Sequence, residues 1–215
     1  MLPHNLTMCF TGTGMLWVGC FGFNGGSALA ADGNAAMAIL VTQISGATAA
    51  TAWMAIEWFK RKPSVLGIAT GAVAGLAAVT PASGFVGPFG GFAIGLAAGV
   101  ICYYAVTTVK QRLGYDDSLD VFGVHGVGGL LGTLLAAVFA APLFGGKGLP
   151  DPASYSISGQ FMTQLMACAA VATYTAAASW GLLKLVGAAV GLRVDAESET
   201  RGLDLSLHEE SGYNS

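Results

Sequence analysis

Long apolar stretches separated by short polar segments dominate the chain. A helix needs about 20 mostly apolar residues to cross a bilayer. By that criterion the pattern predicts six membrane spans, at residues 8–31, 35–56, 65–79, 85–109, 121–144 and 157–190. A polar segment at residues 191–215 follows the last span. We therefore expect an all-α membrane protein, a polytopic helical bundle with a transmembrane domain over residues 1–190 and a cytoplasmic tail.

The composition agrees with this pattern. Apolar residues make up 54% of the chain and charged residues 10%, and the mean hydropathy is +0.65, whereas soluble domains carry about 25% charged residues. The four cysteines are far apart in apolar stretches, which predicts buried free thiols and neither a disulfide framework nor a metal site. No nucleophile elbow or phosphate-binding glycine loop is present. The sequence thus predicts neither an enzyme nor a cofactor.

Basic residues in the short polar segments fall mainly on one side of the predicted spans. Lys and Arg in short loops mark the cytoplasmic side of a membrane protein. The segments after the second and fourth spans carry five basic residues and the tail carries two, whereas Lys147 lies on the opposite side. We therefore expect a multi-pass protein of the plasma or inner membrane whose C-terminus is cytoplasmic.

Glycine recurs every four residues in three of the predicted spans. Small residues at this spacing let helix backbones approach closely in lipid, where no hydrophobic effect drives helix association. They are Gly67, Gly71 and Gly75 in the third span, Gly87, Gly91, Gly95 and Gly99 in the fourth, and Gly128 and Gly132 in the fifth. The spacing predicts a tightly packed bundle.

A single ionisable ring, His125, lies in the fifth predicted span. On a helix it would share a face with residues three, four and seven positions away, namely Val121, Gly128, Gly129 and Gly132. Polar side chains inside a membrane are costly and often mark an ion or substrate path. The alternative is a core histidine that donates one hydrogen bond across a helix pair. The pattern favours neither interpretation.

The first span carries a second polar group near its end. Phe23 and Ser27 would share a helical face with two glycines. An aromatic ring attracts cations, and a hydroxyl oxygen can accept a hydrogen bond from one, so the pair could hold a small cation. The alternative is that Phe23 packs against a neighbouring helix and Ser27 bonds to its own helix backbone.

Three aspartates precede the fifth span. We expect Asp116 and Asp117 to lie in a solvated loop. Asp120 comes directly before the apolar run, so we predict that it caps the N-terminus of the fifth helix.

Two long motifs resemble the ammonium transporter family, which includes the Amt, Mep and Rh proteins. They are Asp-Val-Phe-Gly-Val-His-Gly-Val-Gly-Gly at residues 120–129 and Trp-Val-Gly-Cys-Phe-Gly-Phe-Asn-Gly-Gly-Ser at residues 17–27. Shorter matches at residues 3–6, 67–75, 80–85, 115–117, 190–194 and 202–204 extend the resemblance over nearly the whole chain. The six predicted spans resemble helices six to eleven of the family.

The resemblance implies a fold and an assembly. Members of the family have eleven helices, of which the first ten form two inverted repeats around a pore, as in other transporters. They assemble as homotrimers, and in bacteria the C-terminal tail can bind a PII-type signalling protein. This chain matches only the later half, so it resembles a fragment that holds one inverted repeat and the last helix.

The resemblance also implies roles for four residues. Phe23 resembles the inner of two stacked phenylalanines that gate the pore, and Ser27 the hydroxyl of the external ammonium site. His125 resembles one of two pore histidines, and Val121 an apolar pore-lining residue. His4 and His208 match other family positions. Cys20 stands where the family usually has Trp, which implies altered packing more than altered selectivity.

The expected function is transport of ammonium, with methylammonium as an analogue. The cation would be recruited outside, and ammonia would pass the pore histidine. The alternatives are an ammonium sensor or regulatory subunit, and an inactive structural fragment, because the first half of the pore is absent from the chain.

Overall fold

The computed structural model describes residues 3–149 and 151–212, and within these ranges the ordered elements are all helical. The prediction of an all-α membrane protein is thus confirmed. The chain divides into two compact units between Cys168 and Ala169.

The first unit contains the helices of the bundle. They are α1 (Leu6–Gly26), α2 (Gly33–Lys60), α3 (Val65–Val79), α4 (Pro88–Tyr104), α5 (Lys110–Leu113) and α6 (Val127–Phe139). Two π-helical segments precede α5 and α6, namely π1 (Ala105–Val109) and π2 (Phe122–Gly126), and a 3-10 turn (Pro142–Phe144) follows α6. Helix α7 (Ile157–Ala189) begins in this unit, and α8 (Ala196–Arg201) and α9 (Leu203–Leu207) lie in the second.

Five helical segments are long and apolar enough to cross a membrane: α1, α2, Pro88–Leu113, Phe122–Phe139 and α7. Helix α3 is apolar but shorter, so the count of six spans stays a prediction. Helix α1 ends before the predicted limit because Leu29 adopts a left-handed φ of 57°. Helix α6 also ends early, since Pro142, which lacks an N–H group, begins the 3-10 turn.

Close contacts at glycines hold α2, α3 and α4 together. An added Cβ at Gly75 or at Gly95 would lie 2.5 Å from the carbonyl oxygen of Ser45 in α2. The Ser45 hydroxyl donates to the carbonyl of Gly75 over 2.8 Å. The predicted role of the glycine spacing in close packing is confirmed for α3 and α4.

The same contacts give the directions of the helices. Gly91 lies against Val41 and Gly99 against Ala49, so α4 runs parallel to α2. Gly71 lies against Trp53, so α3 runs antiparallel to both. The basic residues that follow α2 and α4 therefore share one end of the bundle, where Lys60 Nζ lies 4.4 Å from the centre of the Tyr104 ring.

A buried carboxylate joins α2 to α3 at this end. Glu57 is 1% exposed, and its carboxylate accepts the N–H of Ser64 at 2.7 Å and pairs with Arg61 at 2.9 Å. The Ser64 hydroxyl accepts the N–H of Gly67 at 2.9 Å and caps α3. Burial of this acid is compensated because each carboxylate oxygen has a donor.

The second unit contains a capped helix in the tail. Asp195 accepts the N–H of Ser198 at 2.9 Å, and this hydrogen bond lowers the pKa of the Asp195 carboxyl. Arg193 pairs with Glu199 at 2.6 Å. These contacts give the polar tail local order.

The contact between α3 and α6 generates a test with a matched control. A Cβ at Gly132 would overlap the carbonyl oxygen of Ala78, whereas nothing lies within 4 Å of a Cβ at Gly129. We expect Gly132→Ala to lower the free energy of unfolding by about 1–3 kcal/mol through overpacking. Gly129→Ala should leave it unchanged or raise it by up to about 1 kcal/mol. Denaturant unfolding of the purified chain in detergent measures both, and equal effects would contradict the packing.

Candidate functional site

One cleft of about 290 Å³ opens at the end of the bundle opposite to Lys60 and Tyr104. Phe23 and Ser27 both line it, and the Phe23 side chain is 65% exposed. Ser27 is the C-terminal cap of α1, and its hydroxyl donates to the Phe23 carbonyl at 2.7 Å. The self-bonding alternative is therefore confirmed for Ser27. Because that bond uses the hydroxyl proton, the oxygen lone pairs stay available to a cationic donor.

The floor of this cleft contains a polar residue that the sequence analysis did not single out. Asn24 is 4% exposed, and its Nδ2 donates to the hydroxyl oxygens of Thr42 at 2.9 Å and Thr80 at 3.4 Å. The bonds fix the end of α1 to α2 and α3. The available signal was an amide directly after Phe23 in an apolar span.

A second cleft, of about 130 Å³, lies against the first half of α1. Its lining includes Cys9 and Thr13 from α1, Thr70 from α3, and His125. His125 is exposed, and its side chain has no hydrogen bond to another residue in the part of the chain that the structure describes. Within the described residues, His125 is therefore not a buried histidine that bonds across a helix pair, and its role in a pathway stays a prediction.

The structure corrects the predicted face of His125. Gly128 and Gly132 are buried, with Gly128 against Cys102 and Gly132 against Ala78. Gly129 instead has open space around it. The histidine thus lies on the stripe of Gly129 and not on the packed glycine stripe. The physical reason is that only the packed stripe, which continues through the buried Val124, contacts α3 and α4.

The segment that carries His125 is π-helical. The N–H of Val127 bonds to the carbonyl of Phe122, five positions earlier. A Cβ on Gly123 would overlap the side chain of Val106 in π1, so the two π-segments pack directly. Short π-helical segments occur often at functional sites.

Asp117, and not Asp120, caps this segment. The Asp117 carboxylate accepts the N–H groups of Val121 at 2.8 Å and Phe122 at 3.0 Å. Asp120 has a left-handed φ of 57°, and its Oδ1 pairs with Lys110 Nζ at 2.7 Å. The predicted cap at Asp120 is therefore wrong. Asp117 lies in the loop, as predicted, and is partly exposed, but its carboxylate is bonded to the start of the helix. The cause is the turn at Asp120, which brings Asp117 under the helix start.

The two clefts share α1 as a common wall. Thr13 and Phe23 are ten positions apart in α1, which corresponds to about 15 Å along the helix. Val121 is 52% exposed and lies one turn before His125. No group of three metal-ligating side chains occurs among the described residues. The arrangement offers a cation-accepting group near one end of α1 and an imidazole nearer the other.

A sequence profile described as the Ammonium Transporter Family matches residues 1–213. The chain belongs to the ammonium transporter family. The predicted resemblance is confirmed, and because the family consists of transporters, so is the expectation that the chain is not an enzyme.

Ammonium transporters from several organisms are similar along the whole chain. That of Aquifex aeolicus is 46% identical over 100% of this chain and 50% of its own length. Amt1 of Archaeoglobus fulgidus is 46% identical over 98% of this chain and 53% of its own. The chain spans about half the length of the curated relatives that it matches.

Solved structures of the family share the fold. Saccharomyces cerevisiae Mep2 aligns with a TM-score of 0.81 and 34% identity over 91% of this chain and 46% of its own. A sensor Amt protein aligns with a TM-score of 0.86 and 31% identity, over 97% of this chain and 50% of its own.

The capping of the His125 segment by Asp117 can be tested by amide hydrogen exchange. Asp117→Ala removes the carboxylate that accepts the N–H groups of Val121 and Phe122. Loss of a cap costs about 1 kcal/mol, so exchange in residues 121–126 should become about five-fold faster. Asp116→Ala is the matched control, since Asp116 is exposed. Equal exchange in the two variants would contradict the cap assignment.

Proposed function

We propose that the chain forms one wall of a pathway that moves ammonium across a membrane. The observation that carries the proposal is the placement of Phe23, Ser27 and His125 in two clefts along α1, in a chain of the ammonium transporter family. The chain matches about half of its relatives' length, so the pathway needs a second wall.

The outer cleft is the proposed recruitment site. An exposed Phe ring attracts a cation by about 0.5–2 kcal/mol. The Ser27 oxygen, whose proton is engaged by the Phe23 carbonyl, accepts one N–H of ammonium. The two contacts together favour a small cation with several N–H donors.

The histidine cleft is the proposed passage for ammonia. A bare cation is costly to place among apolar side chains, so ammonium gives one proton to solvent water at the open outer cleft and passes on as ammonia. A neutral imidazole has one donor and one acceptor, and His125 can therefore hydrogen-bond to ammonia without holding a charge beside it. Val121, exposed one turn away, keeps the passage apolar.

Assembly completes the pathway. An apolar stretch of 18 residues in α1 contains no buried residue. Such exposure is expected of a helix that packs against another part of the protein. We propose that the family's first five helices cover it, that the complete unit forms a homotrimer, and that the basic end and tail face the cytoplasm of the plasma or inner membrane. The tail would then be accessible to a PII-type protein.

A sensor function is the second candidate. Similarity to a sensor Amt protein over 97% of this chain favours it. In a sensor, ammonium would occupy the outer cleft and no flux would follow. Transport remains the first choice, because a sensor that only binds ammonium in the outer cleft would leave the histidine cleft without a role.

Methylammonium uptake tests the proposal. Cells without their own ammonium transporters would express the chain alone, or together with the half of the Aquifex aeolicus transporter that it does not cover. We expect uptake only from the pair, and a loss of at least about ten-fold in His125→Ala. The matched control is His208→Ala, since His208 lies in the tail after α9.

Uptake that survives His125→Ala would contradict the assigned passage. Uptake by the chain alone would contradict the need for a second wall. No uptake from a stable, membrane-inserted pair, together with saturable ammonium binding, would favour the sensor.

A further inference from the structure

The outer cleft contains a positive charge of its own. Lys147 lines the cleft together with Phe23 and Ser27 and is the one charged residue among the described side chains that line it. It is half-buried and takes no part in the three ion pairs found within residues 3–149 and 151–212. The proposed recruitment site for a cation thus has a lysine among its lining residues.

The backbone around Lys147 is held in place. Its N–H donates to the carbonyl of Phe85 at 2.9 Å, and the N–H of Gly148 donates to that of Ala140 at 2.8 Å. A Cβ on Gly146 would overlap the Ala140 backbone, and Gly148 has a φ of 59°. The flanking glycines are therefore required by this conformation, and they fix the lysine at the rim.

Asp32 supplies the opposing charge. Its carboxylate caps α2 by accepting the N–H groups of Asn34 at 2.8 Å and Ala35 at 3.1 Å. These hydrogen bonds, that from Ala35 first, lower the pKa of the Asp32 carboxyl, and the charge of Lys147 adds to the effect. Asn34, which lines the cleft, donates its Nδ2 to the same carboxylate at 3.1 Å. Asp32 therefore lies beside the cleft that Lys147 lines, although the two side chains do not form an ion pair.

We propose that Lys147 is a specificity-determining residue of the outer cleft, whose charge opposes cations at Phe23 and Ser27 and is offset by Asp32. This inference rests on the proposed function, because it concerns recruitment at the same cleft. Repulsion grows in proportion to the charge of the ion, so a divalent cation is disfavoured twice as strongly in free energy as ammonium. The lysine thus lowers the affinity for ammonium and gains discrimination against divalent ions.

The local potential can be measured without any transport. A single cysteine is introduced at Ala28, which lines the cleft, in the full chain with its four native cysteines replaced by serine. Its rates of modification by a trimethylammonium-ethyl and by a sulfonatoethyl methanethiosulfonate reagent are compared. Lys147→Gln should raise the ratio of the cationic to the anionic reagent's rate about five-fold at low salt. This change should be smaller at high salt.

Two further variants complete the design. Asp32→Asn keeps a capping side chain and should lower the same ratio. Lys62→Gln is the matched control, because the 28 residues of α2 place it about 40 Å away, and it should leave the ratio unchanged. A ratio that does not respond to Lys147→Gln, or responds equally to Lys62→Gln, would overturn the proposal.

Uptake kinetics in the paired expression system separate this proposal from the proposed function. Lys147→Gln should lower the KM for methylammonium about two- to three-fold with little change in kcat, and inhibition by Mg²⁺ should strengthen. An altered thiol ratio without any uptake would support the cleft potential and contradict transport. Uptake with an unchanged KM and an unchanged ratio of thiol modification rates would support transport and contradict the role of Lys147.

Discussion

The backbone of Ser45 is the point at which α2, α3 and α4 meet. Gly75 and Gly95 approach its carbonyl from two sides so closely that neither position has room for a Cβ, and its hydroxyl bonds back to Gly75. In lipid, close packing and hydrogen bonds between helices replace the hydrophobic effect as the source of association. The positions of the surrounding helices depend on this triple contact.

The site depends on the same core. Thr42, one turn before Ser45 in α2, accepts the Asn24 amide and so fixes the end of α1 beneath Phe23 and Ser27. On α3, Ala78 receives Gly132 of α6, which continues the helix that begins at the histidine segment. The outer cleft is thus set by α2, and the histidine cleft by α3.

The sequence predicted what regular spacing encodes. The bounds of α3 and the packing of its glycines follow from apolar content and a period of four, and both agree with the structure. Gly128 and Gly132 were wrongly predicted to share the face of His125, because contacts with α3 and α4 bury them on another stripe of the helix. The capping role of Asp117 was not predicted because it requires the left-handed turn at Asp120, whose carboxylate pairs with Lys110 instead. Asn24 was not predicted as a site residue, because its partners Thr42 and Thr80 are far away in sequence.

The central claim is that the exposed side of α1 is a wall of the pathway that other helices complete. The most direct measurement is an electron cryo-microscopy structure of this chain bound to the half of the Aquifex aeolicus transporter that it does not cover. The account predicts that the added helices cover α1 and enclose Phe23 and His125 along one passage. Added helices that leave α1 facing lipid, with His125 outside any passage, would contradict it.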